Sequence, residues 1–142
     1  MKLFTSSVLL ACLCGPALAC GAGGTQMITD GPSSLKIFAS LEPITVSKPF
    51  AVNLILCNDD GGGAAAATAA AETKAPIVEA NGWMPRHKHG MNYAPVVTPK
   101  GDGTFTVSNM VFHMPGLWQV RVNVRDRETD KPTTYLLDVV VK

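Results

Sequence analysis

Charge is scarce in this chain: charged residues make up 16% of it and aromatic residues 6%. No stretch approaches the ~20 consecutive apolar residues that a membrane-spanning helix needs. Once an N-terminal leader carrying Lys2 is set aside, 11 Lys+Arg of the original 12 face 11 Asp+Glu, so the remainder has no net charge. Such a balance gives no electrostatic footprint for DNA, RNA or an acidic membrane, and nucleic acid is excluded as a partner class. The four cysteines include no Cys-x-x-Cys, which removes a thioredoxin-like role. No serine stands in a nucleophile elbow and no glycine pattern makes a phosphate loop. The chain is therefore expected to be a non-enzyme.

What is present begins with an export signal. Lys2 forms a positive n-region, Leu3 to Leu13 a short apolar run, and Ala17-Leu18-Ala19 offers small residues to a signal peptidase. Residues 1–19 are therefore expected to be a signal peptide, with 20–142 a single domain that is periplasmic or extracellular. Cleavage there would put Cys20 first and raise lipid anchoring at that cysteine, but Ala17 stands where a lipobox has leucine, so simple cleavage is preferred. With Cys12 and Cys14 removed, Cys20 and Cys57 are the pair left in an oxidising compartment, and a disulfide between them is expected.

Periodicity then speaks for strands rather than helices. Phe50, Val52, Leu54 and Leu56 alternate with Ala51, Asn53 and Ile55. Trp118, Val120, Val122 and Val124 alternate with Gln119, Arg121, Asn123 and Arg125. Tyr135, Leu137, Val139 and Val141 share one face of a last strand over Thr134 to Val141. Further strands are read at Leu35 to Ser40, at Ile77 to Trp83, at an edge near Tyr93 to Thr98, and at Thr104 to Phe112 with a bulge near Ser108-Asn109. Lys100-Gly101-Asp102-Gly103 is a hairpin turn, and Met114-Pro115-Gly116-Leu117 suits a type II turn. The Ala/Gly-rich segment 61–74 reads as a surface insertion. The expected fold is all-β, an immunoglobulin-like antiparallel β-sandwich of about seven strands.

All three histidines lie in two short segments, Met84-Pro85-Arg86-His87-Lys88-His89-Gly90-Met91-Asn92 and Phe112-His113-Met114-Pro115-Gly116. Alternate residues of an extended chain project to one side, so His87, His89 and Met91 are expected to converge with ordinary backbone. Imidazole serves several metals, whereas thioether sulfur is a soft donor suited above all to copper, especially Cu(I). The candidate ligands are His87, His89, Met91, His113 and Met114. The two segments contain no Asp or Glu, which weighs against a hydrolytic zinc site, and no cysteine follows Cys57, which excludes a blue-copper centre. Blander readings remain for each residue. Arg86 and Lys88 suit a merely solvated loop, Met110 suits the core, and Trp83 and Met84 suit a cover over the end of the sandwich. His113 and Met114, being consecutive, share a site only if the chain bends toward Pro115.

These two segments, with Gly101-Asp102-Gly103 between them and Trp118 after them, resemble the YtkA-like family of exported bacterial proteins over roughly Phe50 to Val124. The resemblance implies a small β-sandwich outside the cytoplasm. Like the FixH and CopC-like proteins to which the family is similar, it also implies a link to copper handling or oxidase assembly. A second pattern, that of periplasmic copper chaperones of the PCuAC type, is matched only by half. Its spacing separates Met91 from His113, but Met114 follows without a spacer and Glu79-Ala80 occupy the place of the first His-Met.

Two functions are thereby expected. One is a periplasmic carrier or metallochaperone for Cu(I) or Cu(II), passing copper to an envelope protein. The alternative is a metal-free module that assists assembly of a membrane oxidase or other envelope complex through an apolar patch of Trp83, Met84, Met91 and Tyr93.

Overall fold

Alternation of apolar and polar residues is realised as strand pairing throughout the computed structural model, which describes residue 20 and residues 23–29, 33–58, 76–101, 103–125, 127 and 130–142. The expected signal peptide at 1–19 and the expected insertion at 61–74 both lie outside the described residues. The strands are β1 (Thr25–Gln26), β2 (Ile28–Thr29), β3 (Leu35–Leu41), β4 (Pro49–Asn58), β5 (Ile77–Met84), β6 (His89–Gly90), β7 (Val96–Gly101), β8 (Thr104–Val111), β9 (Gly116–Arg125) and β10 (Pro132–Val141). They form two antiparallel five-stranded sheets, in the orders β1-β3-β4-β8-β7 and β2-β10-β9-β5-β6.

If the seven longer strands are lettered A to G, the sheets read A-B-E-D and G-F-C, the constant-type immunoglobulin arrangement. The three two-residue strands β1, β2 and β6 were not anticipated, because two residues carry no period to read.

One core lies between the sheets. Phe50, Val52, Leu54 and Leu56 from β4 face Trp118, Val120, Val122 and Val124 from β9, all buried, with Ile37, Val107 and Tyr135 filling in. Each Val or Leu so buried contributes about 1.5–3 kcal/mol of transfer free energy. Among the described residues no side chain in this core is charged. Tyr135 is the polar exception: its hydroxyl donates to the Leu35 carbonyl at 3.1 Å and accepts from Ser33 Oγ. Burial pushes its phenol above the ordinary 10.0, a shift the Ser33 bond partly offsets.

Local irregularities shape one end. Phe50 pairs with Met110 and Val52 with Val107, so Ser108 and Asn109 oppose Ala51 alone, which is the expected bulge. Asn109 takes φ 62° there, and its amide donates to the Ala94 carbonyl, pinning the β6–β7 connection. Ser47 N–H donates to the Phe112 carbonyl at 2.8 Å, tying the β3–β4 turn to the β8–β9 connection. At the opposite end Cys57 closes a disulfide with Cys20, which lies 37 residues earlier. In the chain-entropy account a loop of that size is worth roughly 4 kcal/mol.

Candidate metal site

The strand β5 ends at Met84, and the chain reverses there by a tight turn rather than continuing extended. The Met84 carbonyl accepts both His87 N–H at 3.2 Å and Lys88 N–H at 2.9 Å, and Lys88 adopts φ 55°. This corrects the expectation of alternating residues on an ordinary extended chain. His87 sits exposed in the turn, His89 begins β6 opposite Met84, and Met91 lies just beyond it. Pro85 after Met84 is the local reason, since a proline with its fixed φ suits the first corner of a turn and cannot donate to a ladder.

The second segment also bends. Phe112 is fully buried, His113 and Met114 are half-buried, and β9 starts at Gly116 with φ 128°, a conformation open chiefly to glycine. Trp118 Nε1–H donates to the Met114 carbonyl at 2.9 Å, which fastens the bend to β9. The bend near Pro115 is thus present, and it brings His113 to the first segment.

His89 contacts each of the other two imidazoles. His87 and His89 have ring centroids 5.8 Å apart, and His89 stacks on His113 at 5.2 Å with 29° between planes. Both His89 and His113 stand edge-on to Trp118, at 5.8 and 5.2 Å. Trp118 in turn lies flat on Phe112 at 4.5 Å, and Phe112 meets Phe50 at 4.9 Å, so a column of rings runs from the core to the histidines. Both contact types match the preferred geometries of aromatic pairs.

The nitrogens differ in their partners. His89 Nδ1 lies 3.0 Å from the Gly90 carbonyl, which can only accept, so in the neutral ring Nδ1 carries the proton and Nε2 keeps its lone pair. Such a backbone anchor is the usual support behind a metal-binding imidazole. His113 Nδ1 is buried and has no hydrogen-bond partner among the described residues.

The methionines crowd the same end. A methyl group built on Gly82 would meet Phe112 Cε1 at 2.6 Å and the Met91 sulfur at 2.9 Å, so Gly82 is the notch in which Met91 rests against the ring column. Met84 Cε similarly fills the space beside Gly116. Met114 and Met91 are partly buried against the core, while Met84 and Met110 are wholly inside it. The apolar patch anticipated from Trp83, Met84, Met91 and Tyr93 does not form as such. Met84 is 2% exposed, and the Arg121 guanidinium covers the Trp83 ring at 4.9 Å, which leaves Tyr93 as the exposed member.

Among the described residues no three His, Cys, Asp or Glu side chains are gathered at metal-binding distance round a common point. The side chains at this end are imidazoles and thioethers, nitrogen and soft sulfur donors. The cluster lacks the closed tetrahedral set of a structural zinc.

Sequence reasoning placed Trp118 in the core and missed that it backs the site. It also passed over Gly82, although a glycine inside a strand signals close approach of a neighbour.

The sequence model of the YtkA-like family matches residues 65–123. That span contains both histidine segments and Trp118, and it begins later than the Phe50 expected from resemblance. Neither a curated protein nor a solved structure matches the chain significantly. Over residues 65–123 the chain is similar to the YtkA-like family.

Proposed function

We propose that the protein is an exported copper carrier, holding Cu(I) as cargo between the β5–β6 turn and the β8–β9 bend and releasing it by ligand exchange. The observation that carries this reading is the buried Nδ1 of His113, without a hydrogen-bond partner among the described residues, in a ring stacked on His89. A buried polar nitrogen without a hydrogen bond costs about 1–3 kcal/mol, and a bound cation is one way to repay it. His89 supports the same reading, since its Nδ1 is anchored and its Nε2 left available. His87 would be the outermost nitrogen, with Met91 and Met114 the thioethers able to join.

Cu(I) is favoured over a divalent ion on two grounds. Thioethers prefer it, and the cations Arg86 and Lys88 beside His87 repel a double charge twice as strongly as a single one. The disulfide supports an oxidising compartment, and so export. No helix among the described residues is long and apolar enough to cross a membrane. Neither histidine segment contains a carboxylate, so the acidic ligands usual for a hydrolytic zinc centre are missing there.

The test is an anaerobic Cu(I) titration of the disulfide-bonded protein against a chromophoric Cu(I) chelator. Stoichiometric binding that is lost in the His87→Ala/His89→Ala variant supports the carrier. Equal affinity in that variant would falsify it and leave the metal-free assembly module as the better reading.

A further inference from the structure

The connections that surround the imidazoles are 42–48, 85–88, 91–95 and 112–115, and their charges are uneven. They hold Lys48, Arg86 and Lys88, all exposed, against the single acid Glu42, in a chain with 12 Lys+Arg and 11 Asp+Glu overall. Glu42 is engaged, because its Oε2 accepts the Ala51 N–H at 2.9 Å. None of the three cations has an ion pair among the described residues. Their positions are fixed by the fold: the Met84 carbonyl holds the turn carrying Arg86 and Lys88, and the Ser47 to Phe112 bond sets Lys48 beside the segment of His113.

The same end also concentrates exposed apolar side chains. Leu117 and Val140 are cross-strand partners one step from the end of β9, and they are 43% and 69% exposed. Tyr93, on the β6–β7 connection, is 57% exposed. Exposed apolar groups beside a charged, solvated rim are the anatomy of a protein interface. The tip itself, Arg86-His87-Lys88, is polar, and the apolar groups flank it, an arrangement poorly suited to insertion into lipid.

We propose that this end is a docking face for a protein partner with an acidic rim, the one that gives or takes the metal. The inference rests on the carrier reading for the purpose of docking, but the face itself exists without metal. Opposite charge on the partner raises the rate of encounter and orients it so that its donors meet His87 first. A free aqueous cation gains no such help, so delivery from an acidic protein is the route this end favours.

Two measurements decide it. In the first, the metal-free protein is titrated with a hexa-aspartate peptide and followed by amide chemical shifts. The expected shifts centre on residues 47–48, 86–89 and 113–117. They weaken at least about tenfold in the Lys48→Gln/Arg86→Gln/Lys88→Gln variant, and they fade at physiological ionic strength, where screening acts over about 8 Å. Shifts spread equally over Lys36, Arg125 and Lys131, or no shifts, overturn the proposal. So does binding to phosphatidylglycerol vesicles through the same residues with the peptide inert, which would make the face a membrane contact.

In the second, Cu(I) is withdrawn by a disulfonated phenanthroline chelator or by its uncharged parent. Transfer to the anionic chelator is expected to slow about tenfold in the charge-neutralised variant, with transfer to the neutral one unchanged. Equal slowing of both, or of neither, counts against steering. If the protein binds no copper, the peptide titration still decides the docking face, so the two readings fail separately.

Discussion

His89 and His113 stack at 5.2 Å although one opens β6 and the other lies in the β8–β9 connection. Trp118 holds both edges, and its Nε1–H to the Met114 carbonyl fixes the bend that carries His113. Trp118→Phe keeps an aromatic body in the core but removes that bond and shortens the ring column. The expected result is a loss of about 1 kcal/mol in stability and a weakening of Cu(I) binding of about tenfold. Denaturant unfolding and competitive titration read the two effects separately. Unchanged copper affinity would make Trp118 a core residue alone.

Gly82 should not tolerate a side chain. A Cβ there meets Phe112 at 2.6 Å and the Met91 side chain at 2.8 and 2.9 Å, closer than packed atoms approach. Gly82→Ala is expected to cost about 1–3 kcal/mol by overpacking and to push Met91 out of its notch. If Met91 donates to copper, the variant also binds Cu(I) differently, and Met91→Leu should reproduce that change with little loss of stability. A Gly82→Ala protein as stable as the parent would show that the notch is not filled in solution.

Much of this was open to sequence reading. Strands of six or more residues declared themselves because their inward positions are apolar at every second place, as Trp118, Val120, Val122 and Val124 show. The bulge at Ser108-Asn109 was legible because the apolar face skips a step between Val107 and Met110. The histidine segment misled for the converse reason: His87, His89 and Met91 have strand spacing, but Pro85 and the left-handed Lys88 make a turn of the first half. Nor could sequence spacing bring His113 to His89. That contact depends on β5 and β9 being neighbours in one sheet, which is a property of the topology.

The disulfide is expected to act on stability and not on the site. Cys57 lies at the far end of β4 from Phe50, roughly 23 Å away at strand rise. A Cys20→Ser/Cys57→Ala variant should lose about 2–5 kcal/mol in denaturant unfolding. Provided that it folds, its Cu(I) affinity should match that of the disulfide-bonded protein. A large fall in affinity at temperatures where the variant is folded would show that the bridge reaches the site after all.

Tyr135 predicts an alkaline limit. Its folded-state phenol ionises above the ordinary 10.0 because burial disfavours the charged form, whereas the unfolded chain ionises at the ordinary value. The unfolded state therefore loses its proton first as pH rises. The contribution of Tyr135 is fully present below pH 10.0 and is lost as pH climbs through the folded-state value. Tyr135→Phe should forfeit its bonds to Leu35 and Ser33, about 1 kcal/mol near neutrality, and flatten the decline above pH 10. An unfolding series from pH 8 to 11 tests this, and an equally steep decline in the variant would assign the alkaline limit to other groups.

His113 offers the sharpest contrast between stability and function. Its Nδ1 is buried with no hydrogen-bond partner among the described residues, and a buried polar nitrogen left unpaired carries a desolvation cost. Replacing the ring by an apolar side chain removes that cost while keeping contact with Trp118, so His113→Leu should raise the stability of the metal-free protein by about 1 kcal/mol, or about 3–5 °C in Tm. The same change should weaken Cu(I) binding at least tenfold, and added Cu(I) should stabilise the parent by mass action but not the variant. A residue kept only for packing would show the opposite pattern, with stability falling on substitution and copper indifferent. Thermal unfolding of both proteins, with and without Cu(I), separates the two accounts in one experiment.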